Sequence, residues 1–115
     1  MRVISQDGAM DFPYDSSLVS IYGGCVNGRI YVRVQLCGGY DDSVDVADYS
    51  TKAKAIKAME MLRGQYKGLE VFKVLASGTA EHMEKSFDSD ELKKYIRAYH
   101  DINVFQFPQD DEIEV

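Results

Sequence analysis

Residues 29–36, RIYVRVQL, alternate in character: Ile30, Val32, Val34 and Leu36 are apolar, and Arg29, Tyr31, Arg33 and Gln35 lie between them. A period of two predicts a strand with one face in a core. Asn27-Gly28 lies just before it, between two alternating runs, and predicts a two-residue hairpin turn onto the strand SLVSIYGG. Upstream, MRVIS predicts a short strand. QDG predicts a turn in which Gly8 takes positive φ, and AMDFPYD an extended segment around Pro13. Downstream, SVDVADY predicts a further strand.

After Tyr49 the period changes. In STKAKAIKAMEMLRGQYKG, Ala55, Ile56, Met59, Leu62 and Tyr66 fall on one helical face, with Lys54, Lys57 and Met61 turned away. Ser50 or Thr51 supplies the cap, and Gly68 reads as the stop. LEVFKVLA then predicts a strand, and SGTAEHMEKSFD an ambiguous stretch with room for a short helix. SDELKKYIRAYH predicts a second helix, with Ser89 as cap, acids in the first turn and bases later, as the helix dipole favours. INVFQFP predicts a final strand ended by Pro108. Strands gathered early and helices late predict an α+β fold: one domain over residues 1–108, with a mainly antiparallel sheet of five to six strands and two main helices. Residues 109–115, QDDEIEV, read as an acidic C-terminal tail, solvated or docked on a partner.

Composition narrows the function. A chain of 115 residues with 45% hydrophobic and 28% charged content has room for a single core and folds without staples. No run approaches a membrane span, and the start lacks the apolar stretch of a secretion signal, so a cytoplasmic protein is expected. A formal charge of -6 argues against general nucleic-acid binding, which needs a basic stripe to neutralise phosphates. Cys25 and Cys37 lack the spacing of a redox or zinc motif and read as thiols of a reducing compartment.

Catalytic patterns are missing from the sequence. His82 and His100 sit in charged helical stretches with no nucleophile elbow beside them. DDSVDVAD lacks the glycine and closing glutamate of a calcium loop, and YGG, CGG and SGT are turns without the Lys-Ser or Lys-Thr of a phosphate loop. No cofactor, metal or enzymatic activity is expected. What remains is the polar face of residues 29–36. Arg29 and Arg33 share a side with Tyr31 between them, a pairing that suits a phosphate with a stacked base. Phe12, Tyr14 and Tyr22 offer further rings. The more ordinary reading of the same face is an internal salt-bridged surface, its arginines paired with the acids of DDSVDVAD.

Three pieces, MRVISQDG with DFPY, ADYSTKAKAIKAMEMLR and VFQFPQDDEIEV, resemble a group of small proteins from Firmicutes and their phages and mobile elements. In size and strand-helix order the chain is also similar to the Thoeris anti-defence sponges. That similarity implies a non-catalytic protein that sequesters a cyclic or phosphorylated nucleotide-like immune signal. Such proteins assemble as oligomers and bind the signal with arginines and aromatic rings, which makes Arg29, Tyr31, Arg33, Phe12 and Tyr14 the candidate ligand site. The alternative is an acidic protein-binding module that inhibits a host nucleic-acid-binding or defence protein. A homo-oligomer is expected in addition, because the C-terminal strand reads as an exposed edge whose acidic tail reaches Arg29 or Arg33 of a neighbour.

Overall fold

Alternation in residues 30–36 produces the central strand of a three-stranded antiparallel sheet. β3 (Ser17–Gly23), β4 (Ile30–Leu36) and β5 (Ser43–Tyr49) follow one another in space as in sequence. Val34 pairs with Val19, Val32 with Ile21 and Tyr31 with Tyr22. A second sheet is built from β1 (Arg2–Ile4), β2 (Asp11–Pro13) and β6 (Val104–Gln106), with β1 in the middle. β2 pairs with β1 antiparallel and β6 pairs with it in parallel. The protein is thus α+β, with six strands in two sheets, mostly antiparallel, and two helices, α1 (Lys52–Ser86) and α2 (Ser89–Ile102). The computed structural model describes residues 1–23, 27–36, 43–86 and 89–114, and the side chains of all of these but 36, 76–86, 89, 91 and 92. Cys25 and Cys37 fall outside the described residues, and the side chain of His82 is among those left aside.

Gln6 joins the two sheets. Its backbone N–H donates to Val46 O at 2.7 Å. Its side-chain amide accepts from Asp48 N and donates to Asp48 O, both at 3.0 Å, as a neighbouring peptide group would. The same amide donates to Pro108 O at 3.1 Å. Around this seam lies one core, with Val3, Phe12, Val32, Val34, Tyr49, Leu62, Phe105, Phe107 and Ile113 all buried. The Tyr49 ring is fully buried and its hydroxyl donates to Pro108 O at 2.9 Å.

α1 departs from the expected helix in length and in face. It does not stop at Gly68 but runs 35 residues, so LEVFKVLA is helix and not strand. The buried face is Ala55, Ala58, Leu62 and Leu69, with Met59 at its margin. Ile56 points away and is 41% exposed, because it lies more than a quarter turn from that stripe. Two alanines at the centre let the helix sit close to the sheet. Thr51 caps its start, accepting from Lys54 N.

The last described pair of the β3–β4 hairpin is Gly23 with Ile30, and the expected two-residue turn depends on residues 24–26, which lie outside the described residues. Gly28 does take positive φ, as does Gly8, and Asn27 Oδ1 accepts from Arg29 N at 3.1 Å. The C-terminal segment is not a solvated tail. Asp110–Glu112 forms a 3-10 turn, Ile113 behind it is buried, and Asp110 accepts from Ser50 N at 2.8 Å. Lys54, expected to face solvent, is half-buried against Asp110, with Nζ 3.3 Å from its carboxylate. The acidic segment therefore seals the start of its own α1 through one apolar anchor and one carboxylate.

Beyond Leu69 the chain leaves this body. α2 runs back along α1, and Phe72 stacks on Tyr95 at 5.2 Å and meets Tyr99 in a tilted contact at 5.8 Å. The resulting helical arm gives the molecule a length of 59 Å and a radius of gyration of 17.2 Å. A compact domain of this size has a radius of gyration of about 13 Å.

Candidate functional site

Strand geometry sets Arg29, Tyr31 and Arg33 on the outer face of β4, opposite buried Val32 and Val34. The neighbouring strands place partners beside each. On β5, Asp48 lies opposite Tyr31 and Asp45 opposite Arg33, the latter shifted into register by a bulge between Val32 and Arg33. On β3, Tyr22 lies opposite Tyr31 and Ser20 opposite Arg33.

The contacts close within this face. Arg29 Nη2 lies 2.6 Å from Asp48 Oδ1, and Arg33 Nε lies 3.3 Å from Asp45 Oδ1. Tyr22 donates to the Asp45 carboxylate at 2.8 Å and its ring stacks on Tyr31 at 5.4 Å. The Arg33 guanidinium lies over the Tyr22 ring, 3.9 Å from its centroid. Asn27 Nδ2 donates to the Tyr31 hydroxyl at 2.7 Å. The hydrogen bond to Asp48, with its charge, raises the Arg29 pKa. Burial, followed by the bond to Asp45, raises that of the Tyr22 hydroxyl.

Of the two readings of this face, the geometry favours the internal one. Each guanidinium has its own carboxylate, leaving no net positive charge for an anion. The adjoining cavity, about 170 Å³, is lined by Gln6, Asp7, Tyr31, Asp45 and Asp48, so a phosphate entering it meets three carboxylates. Both ion pairs are about 40% exposed, so solvent screening leaves each only a small contribution to stability. The face holds the sheet together cheaply and offers a rigid, neutralised surface.

Phe12 and Tyr14 do not join it. Phe12 is 6% exposed and packs in the core with Val32 and Val34, on the other side of the sheet. Tyr14 packs at a tilt against Tyr66 of α1, with ring centroids 4.8 Å apart. The structure thus brings Arg29, Tyr31 and Arg33 together and places Phe12, on β2, and Tyr14, in the turn after it, apart from them. The acidic segment does approach Arg29, but from the same chain, where Asp110 adds to the raised Arg29 pKa. Among the described residues, no group of three or more His, Cys, Asp or Glu side chains is placed to hold a metal. No helix among them is long and apolar enough to cross a membrane.

A second surface, which the sequence pattern does not signal, lies on the arm. Val71 is 59% exposed, Val74 71%, Leu75 66% and Ile96 57%. Val71, Val74 and Leu75 have i, i+3, i+4 spacing and share one helical face. That spacing was present in LEVFKVLA, but the β-branched residues pointed to strand. No family model, curated protein or solved structure matches the chain.

Proposed function

We propose that the protein is a non-catalytic binding module whose contact element is the helical arm. The observation that carries this reading is the exposed apolar face of Val71, Val74 and Leu75 on a helix that extends beyond its own core. Isolated surface leucines are ordinary, but a contiguous apolar face on a projecting element marks an interaction site. An i, i+3, i+4 set of aliphatic anchors suits insertion into the apolar groove of another protein. With a formal charge of -6, a partner with a basic rim associates faster and is released by salt.

The sponge reading rests on a narrower support, the stacked Tyr22 and Tyr31 rings with Arg33 over them. A nucleotide phosphate would have to displace Asp45 or Asp48 from its arginine.

One experiment separates the two. Wild type, Leu75→Asp and an Arg29→Ala, Arg33→Ala double variant are compared for partner capture, and for thermal shift with a panel of cyclic and linear nucleotides. The arm reading expects a salt-sensitive protein partner that is lost with Leu75→Asp and retained by the double variant. A nucleotide shift that disappears in the double variant returns the function to the arginine face. A partner retained by Leu75→Asp removes the arm from the contact.

A further inference from the structure

The two sheets have four edges, β2 and β6 in one and β3 and β5 in the other. An edge strand presents N–H and C=O groups to any passing chain, and folded proteins blunt it with charge, proline, bulges, short length or a cover. Three of the edges are blunted. β2 is three residues long and carries Asp11 and Pro13. β6 is also three residues, and the Gln65 amide donates to Val104 O beside it. β5 is bulged, bears Asp45 and Asp48, and is occupied by Gln6.

Among the described residues, β3 carries none of these devices along its outer edge. It is seven residues long, SLVSIYG, with no charge and no proline, and it pairs with β4 without a register shift. Among the described residues, no backbone hydrogen bond from outside β4 reaches residues 18–23. Leu18 is 60% exposed at its start.

We infer that this edge pairs antiparallel with the same edge of a second copy, about a two-fold axis at Ser20. The strand is self-complementary around that point. Leu18 faces Tyr22 of the second copy, Val19 faces Ile21, and Ser20 faces Ser20. The exposed Leu18 then packs on a ring already fixed by Tyr31 and Asp45, so little freedom is lost on docking. Val19 and Ile21, both half-buried, meet on the inner face and extend the core across the seam. Charge selects the same edge. Each copy carries a formal -6, so most surfaces repel their equivalents, whereas β3 brings no charged side chain of its own into the contact. A seven-residue seam is about 23 Å long. It buries less than the roughly 800 Å² per partner of a standard interface, so the dimer is concentration-dependent. Pairing is independent of the arm and leaves two arms on one particle, which raises the avidity for any partner they share.

Sedimentation equilibrium of the full chain across the micromolar range tests the pairing. The expected mass rises with concentration toward twice 13.0 kDa, and salt strengthens the association by screening the repulsion. Ser20→Lys and Ser20→Glu, at an exposed side chain, each weaken the dimer more than about tenfold, because like charges face each other across the axis. An equimolar mixture of the two restores it. Leu75→Asp leaves the mass unchanged, which keeps this result separate from the fate of the arm reading. A wild-type mass of 13.0 kDa at every concentration overturns the inference, as does a dimer retained by both charged variants with unchanged circular dichroism. A monomer whose β3 amides gain exchange protection only when another protein is added assigns the edge to that protein and overturns the pairing too.

Discussion

The two halves of α1 share a helix and have opposite surroundings. In the first, Ala55, Ala58 and Leu62 are fully buried in the core with the sheets, and Leu69 is fully buried as well. In the second, Val71, Val74 and Leu75 are between 59% and 71% exposed, and Phe72 packs only on α2 among the described contacts. One half is held by a core, and the other by a hairpin partner. Apolar residues in the first therefore stabilise the fold, while Val71, Val74 and Leu75 in the second are mostly exposed. Helical continuity carries that exposed face away from the body.

The contrast is broken most directly at Leu62. Leu62→Ala removes a fully buried side chain and is expected to cost ~2–5 kcal/mol, lowering Tm by roughly 10 °C in a thermal melt. A loss below about 1 kcal/mol would show that the first half is no better anchored than the second. Gln6→Ala comes next. It leaves Asp48 N–H and the carbonyls of Asp48 and Pro108 without their amide, for an expected ~1–3 kcal/mol by denaturant titration.

Gly64→Ala should change stability in the other direction. Gly64 lies inside the helix, and a Cβ there would meet nothing within 4 Å. The substitution should stabilise by ~0.5–1 kcal/mol, whereas a helix ending near residue 64 would give no gain.

Asp110 ties the C-terminal segment to the first half through pH. A hydrogen bond from Ser50 N, then the Ser50 hydroxyl and Lys54, hold its pKa below the ordinary 3.8. A lowered folded pKa means that this stabilisation is complete above 3.8 and is lost as pH falls through the folded value. Asp110→Asn should flatten the acid limb of the stability curve, measured by urea titration at descending pH. An unchanged limb would detach Asp110 from the start of α1.

The smallest effect is expected in the second half. Leu75→Asp should alter stability by no more than about 0.5 kcal/mol, since the side chain is 66% exposed. A larger loss would make Leu75 part of a core and weaken the reading of the arm as a contact surface.

Local pattern set much of this molecule. Strict alternation in residues 30–36 specified β4 and its two faces, because a one-residue slip would expose Val32 and Val34. Gly8 and Gly28 marked positive φ, and Thr51 marked a helix start. Arg29, Tyr31 and Arg33 were legible as one outer face. Their pairing with Asp48 and Asp45 was open in the sequence, because it depends on which strand lies alongside and on a bulge that moves Asp45 opposite Arg33. The same limit explains Phe12, buried in the core, and Tyr14, packed on Tyr66 of α1, because both placements follow from packing between elements and not from their neighbours in the chain. LEVFKVLA shows the boundary between the two kinds of information most clearly. Its valines and phenylalanine favour strand by propensity, yet a difference of a few tenths of a kcal/mol per residue is outweighed once α1 is already nucleated and α2 packs on Phe72. The fate of QDDEIEV was settled in the same way: its acids suggested solvent, but burial of Ile113 and the bond from Ser50 to Asp110 exist only when residues more than fifty positions apart have met.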